Sequence, residues 1–173
     1  MTIGEARPGY ELWRPNREKP ASLTMRLVVV ALLVGSTALM LIIIFGGWSA
    51  LNGGFTWSLI SLAYAIVYLV LAWLTWRWSR GALTITVALG VLLLIFSAVG
   101  AGTWFARNKE GFAEPILPSP VLGTLMVILM LVQVVLIVAA AIAFRQEWHV
   151  EEERPIGSAT TEAGPGPASP SAA

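Results

Sequence analysis

The sequence predicts an all-α protein: a polytopic integral membrane four-helix bundle with both termini on the cytoplasmic side. Three observations carry that prediction. Only 12% of the 173 residues are charged, where a soluble domain has about 25%, and 57% are hydrophobic. The deficit is concentrated, because stretches 27–76, 81–106 and 115–144 contain no Asp, Glu, Lys or Arg. The 11 Lys and Arg residues also gather on one side of the spans that these stretches define.

Residues 1–26 are polar, with five basic and three acidic residues plus Tyr10, Leu12 and Trp13. They read as a flexible cytoplasmic lead-in whose charge sets topology; the alternative is an interfacial segment touching anionic lipid. A helix needs about 20 apolar residues to cross a hydrocarbon core of about 30 Å. The first uncharged stretch holds two such spans and a turn, marked by Gly46-Gly47 and Asn52-Gly53-Gly54. The first span is therefore 27–47 and the second 57–76. The third is 82–105. The fourth, 120–144, starts at Ser119-Pro120, a capping residue followed by proline at the first helical position. Helices are preferred to strands because each run is too long for a barrel strand, and lipid demands that backbone groups pair within their own segment. The transmembrane domain spans 27–145, and 146–173 form a cytoplasmic tail. That tail continues the fourth helix as a charged extension to Arg154. After Pro155 it is a Gly-, Ser-, Ala- and Pro-rich stretch that cannot bury enough apolar surface to offset its ordering entropy.

Five basic residues precede the first span, two separate the second from the third, and two follow the fourth. Only Arg107 and Lys109 lie on the other side, so the bias is nine to two. Tryptophans mark both boundaries, with Trp48, Trp57 and Trp104 at the outer ends and Trp73, Trp76, Trp78 and Trp148 at the inner ends. The first span is read as retained rather than cleaved. It is longer than a secretory h-region, and Trp48 would occupy the −3 position of a cut after Ala50, where a small residue is needed.

An internal repeat is suggested by Trp48-x-Ala50-x-Asn52 followed by Gly54-Phe55, and Trp104-x-Ala106-x-Asn108 followed by Gly111-Phe112. It fits two tandem helical hairpins, as in parallel transporter repeats. Shared interface chemistry explains it equally well.

The spans lack carboxylates, amines, guanidiniums and imidazoles, the groups that mark ion pathways and proton relays within membranes. Small multidrug exporters are similar in size and helix count, but they depend on a membrane-embedded glutamate, and no residue here fills that place. The chain has no Cys and no Asp, and its one histidine is His149. Thiolate metal sites, bis-histidine haem and aspartate-based magnesium sites are therefore excluded. His149 beside Glu147 reads as a solvated helix extension rather than a metal site. No catalytic residue, metal or cofactor is expected, and nothing points to nucleic acid.

Polar residues within the spans are the remaining candidates. Ser61, Tyr64, Tyr68 and Thr75 fall on one face of the second helix. Gln133 is the one strongly polar residue inside the fourth span, and its depth pairs it with Tyr68 or Tyr64. Thr86, Gly90, Ser97 and Ala101 form a small-residue stripe on the third helix, and Ala31, Gly35 and Ala38 one on the first. Such stripes let helices approach closely in lipid. Ser61, Tyr64, Tyr68, Ser97 and Gln133 are thus the expected intramembrane polar packing residues. The alternative is a shallow crevice for a lipid or neutral molecule. Outside, the 106–120 loop with Arg107, Lys109, Glu110 and Glu114 is the expected contact segment, and Ile116 and Leu117 are placed to meet the interface or a partner.

The resulting expectation is a non-catalytic accessory or scaffold subunit of a plasma-membrane complex. Its partners are the lipid bilayer and a membrane protein or further copies of itself. The alternative is an oligomeric carrier or channel component for an uncharged or lipidic solute. The Ala-, Gly- and Pro-rich tail suggests a GC-rich bacterial genome.

Overall fold

Backbone groups in lipid must find partners within their own segment, and this chain does so with four long helices. The computed structural model describes residues 9–48, 55–107, 115–148 and 150–156. In chain order it contains strand β1 (Tyr10–Trp13), a single turn α1 (Pro15–Glu18), helices α2 (Pro20–Gly46), α3 (Phe55–Trp76), α4 (Arg80–Ala106) and α5 (Ser119–Arg145), and strand β2 (Glu152–Pro155). All four long helices are long and apolar enough to cross a membrane. A helix of 27 residues, such as α2, α4 and α5, is about 40 Å long. That exceeds the hydrocarbon thickness, so charged ends such as Arg26, Arg80 and Arg145 stay helical outside the apolar run. Pro20 sits at the first position of α2, where its missing N–H costs nothing. The helix therefore begins seven residues before the uncharged stretch.

The most extensive packing is between α4 and α5, followed by α2–α3 and α2–α5. Consecutive helices α3 and α4 touch over a much shorter stretch. Absent side chains set the α4–α5 approach: a Cβ at Gly123 would stand 2.8 Å from the Phe105 ring, and one at Gly90 would stand 3.0 Å from Ile137. The core includes Val29, Leu33, Leu71, Leu83, Leu129, Leu136 and Ala140, all nearly inaccessible.

Two tail expectations are corrected at the ends of the chain. The fourth helix stops at Arg145 instead of continuing to Arg154, and residues 10–13 are not a loose lead-in. Instead β1 and β2 pair antiparallel, with Tyr10 opposite Pro155 and Trp13 opposite Glu152. Glu147 has φ of 51°, which turns the chain out of the helical path. The ribbon is then fixed across its faces. Arg14 and Glu151 form an ion pair, with Arg14 Nε donating to Glu151 Oε1 at 2.8 Å. Arg154 pairs with Glu11 at 2.8 Å and lies over the Trp13 ring. The ribbon holds both ends of the described chain at one end of the bundle, called here the ribbon end. The segment after 156, expected to be disordered, lies outside the described residues.

The two tryptophans of the suggested repeat occupy unlike surroundings. Trp48 is exposed, whereas Trp104 is buried, with its ring where a Cβ of Gly47 would lie, 2.7 Å away. The rest of each repeat falls largely outside the described residues.

Candidate functional site

The middle of the bundle holds a network of side-chain hydrogen bonds between the long helices. Gln133 of α5 is fully buried. The Tyr68 hydroxyl of α3 donates to its Oε1 at 2.9 Å. Gln133 Nε2 donates to Ser36 Oγ of α2, also at 2.9 Å. One amide thus ties three helices. One turn along α3, the Tyr64 hydroxyl donates to the Leu89 carbonyl of α4 at 2.6 Å. The Tyr64 and Tyr68 rings meet at 5.4 Å. Between them the two tyrosines and the glutamine connect all four long helices.

Ser97 is buried but donates to its own helix, at Leu93 O. Ser61 is half-buried, one turn from Tyr64. Neither reaches Gln133 by a hydrogen bond among those the structure describes. The residue that sequence reasoning missed is Ser36. It sat in plain view beside Gly35, but a serine among small residues carries no mark of which face it occupies. The stripe on α4 faces inward, with Thr86, Gly90, Ser97 and Ala101 all buried. The stripe on α2 does not pack within the bundle. Ala31, Gly35 and Ala38 are all exposed, and nothing lies within 4 Å of a Cβ at Gly35. Two further hydroxyls, of Thr75 and Thr86, are fully buried without a hydrogen-bond partner.

The ribbon end carries an arginine–tryptophan cluster. Helix α3 closes with the Schellman pattern: Ser79 N–H donates to Leu74 O, and Trp78 N–H to Thr75 O. Its left-handed position, usually glycine, is Trp78 at φ 64°. That conformation costs a side-chain-bearing residue roughly 1–2 kcal/mol. Edge-on contact with Trp148 at 5.0 Å is worth about 0.5–1.5 kcal/mol. The Arg26 guanidinium lies 4.4 Å from the Trp78 ring and 4.5 Å from that of Trp76, which adds about 0.5–2 kcal/mol. Those two contacts offset the strain. Trp148 itself is 1% exposed, so it is a packing residue and not part of an interfacial belt. Trp73 and Trp76 remain exposed at this end, with Arg77 over the Trp73 ring. Arg17 Nε donates to the Trp148 carbonyl at 3.0 Å. Burial draws the Arg17 guanidinium below its ordinary pKa, Arg14 adds to that, and Glu151 opposes it.

At the opposite end, Arg107 lies over the Trp104 ring. Lys109, Glu110 and Glu114 lie outside the described residues, as does His149. Ile116 is exposed, but Leu117 folds back: its N–H donates to Gly46 O at 2.9 Å. Its side chain fills the space over Gly46, where a Cβ would stand 2.5 Å from Leu117 Cδ1. Leu117 is therefore half-buried and packs on the end of α2.

No group of His, Cys, Asp and Glu among the described residues is placed to hold a metal ion. These features define the class of the protein as a mostly helical bundle with four helices able to span a membrane. No protein family matches the chain, and neither a curated protein nor a solved structure matches it.

Proposed function

We propose that the chain is a non-catalytic, multi-pass plasma-membrane protein that acts as an accessory or scaffold subunit of a larger membrane complex. The ribbon end is cytoplasmic on this reading, following the nine-to-two distribution of basic residues. The observation that carries the role is the use made of the central polar groups. Tyr64, Tyr68, Gln133 and Ser36 direct their hydrogen bonds to one another and to a backbone carbonyl. An amide and two phenols so engaged lock helices together, and the amide itself is fully buried. The exposed Ala31–Gly35–Ala38 stripe supports the same reading, because small residues allow a neighbouring helix to approach. Affinity purification of the tagged chain from gentle detergent tests it. A stoichiometric membrane-protein partner is the expected result, and recovery of the chain alone would sink the proposal.

A second reading, an oligomeric carrier or channel component for an uncharged solute, draws on Thr75 and Thr86. Their buried hydroxyls lack partners toward the ribbon end, which would suit a polar path opened by a conformational change. On that reading, purified protein in liposomes passes a small neutral solute, and Thr75→Val with Thr86→Val slows it. Absence of flux from the wild type removes this alternative.

A further inference from the structure

Where α2 begins and α5 ends, the ribbon end opens into a cleft of about 310 Å³ lined by Asn16, Lys19, Ala21, Ser22, Arg145, Gln146 and Glu147. Its chemistry is that of an anion site. Lys19 and Arg145 come from different helix ends. Lys19 Nζ donates to Asn16 Oδ1 at 2.7 Å, and neither cation has an ion-pair partner among the described residues, whereas Arg14 and Arg154 do. The start of α2 adds the partial positive charge of a helix N-terminus and the end of α5 an opposing partial negative charge, so the attraction for an anion rests on the two side-chain cations. Amide groups of Asn16 and Gln146 lie within the lining, although each already reaches a backbone carbonyl, at 3.2 and 3.4 Å. Glu147 is the one acidic liner, and it is exposed.

The position of the cleft decides which anion it suits. Below it, α2 exposes Leu23 and Leu27, and α5 exposes Val138 and Ile142. A ligand with a phosphate at the cleft and acyl chains along these helices satisfies both surfaces. Basic pockets between membrane helices on the cytoplasmic side are suited to anionic headgroups.

We propose that this cleft binds the headgroup phosphate of an anionic phospholipid, with Lys19 and Arg145 as its charge partners. The site is independent of the scaffold role, since it rests on the cleft and on the chain's residence in a bilayer. The test is native mass spectrometry of the delipidated full chain with phosphatidylglycerol, phosphatidylcholine or inorganic phosphate. Phosphatidylglycerol is expected to bind about tenfold more tightly than phosphatidylcholine, the scale expected when one or two cations meet an anionic headgroup. Lys19→Gln combined with Arg145→Gln should abolish that preference. Arg77→Gln, which removes a cation outside the cleft lining, should leave it intact. Equal binding of the two lipids by the wild type overturns the proposal, and this arm needs no variant to fold. Loss of the preference in Arg77→Gln also overturns it, because the attraction would then belong to the whole basic surface. If inorganic phosphate binds as well as the lipid, the site is one for free anions and the lipid assignment fails.

Discussion

Replacing Gln133 with Leu is expected to lower the unfolding free energy by about 1–4 kcal/mol, since interhelical hydrogen bonds in membranes are worth roughly 0.6–2 kcal/mol each and two are lost. Leu is somewhat larger than Gln, so the substitution leaves no cavity. The side chain bonds Tyr68 and Ser36 at 2.9 Å each, and both partners would be left buried. A second substitution separates network from volume. Tyr68→Phe removes the other half of one bond, so its combination with Gln133→Leu should cost less than the sum of the two single changes. The shortfall is the coupling energy, expected at about 0.6–2 kcal/mol. Reversible unfolding in mixed micelles, followed by helicity and by tryptophan emission, measures the wild type and the three variants. Strict additivity would show that the Tyr68–Gln133 bond contributes nothing.

The largest single loss is expected from Trp148→Ala. Emptying a fully buried Trp site costs about 3–5 kcal/mol, and Trp148 is the largest fully buried side chain among the described residues. It also removes the edge contact that offsets the left-handed backbone of Trp78. The effect should be local first. The ribbon lies just beyond Trp148 and is fixed to the bundle through Arg17 and Asn16, which bond the carbonyls of Trp148 and Glu147. Hydrogen exchange at residues 10–13 and 152–154 should rise to the rate of free peptide. The amides of α4 and α5 around Gly90 and Gln133 should stay protected. Unchanged exchange in the strands would mean that the ribbon is held by its own ion pairs alone.

The spans were legible in the sequence because they rest on composition summed over many residues. Uncharged stretches and the turn residues between them located all four helices, and only the helix ends moved outward, as with Pro20 and Ala106. The pairing of Tyr68 with Gln133 could be read from depth, because two polar groups at the same level in lipid have few other partners. Helix orientation was much less legible. A helix in a membrane is apolar on both its lipid face and its packed face, so hydrophobic periodicity does not separate them. The Ala31–Gly35–Ala38 and Thr86–Gly90–Ser97–Ala101 stripes look alike in sequence, yet one faces out and the other in. Ser36 was missed for the same reason. The ribbon was illegible for another: its contacts join residues more than 130 positions apart, such as Arg14 with Glu151, and no local pattern in 10–13 or 152–155 announces a partner.

That ribbon also has a consequence for biogenesis. Its second strand is made after all four helices, so it can close only when synthesis of the membrane domain is complete. Closure requires the two strands to be on the same side of the bilayer, which holds only for an even number of inserted helices. A chain that left one helix out would have its strands separated by the membrane, with Arg14, Arg17 and Glu151 unpaired. The pairing of Tyr10–Trp13 with Glu152–Pro155 is therefore open only to a chain with an even number of inserted helices, and a chain that missed a single span would keep its two strands apart.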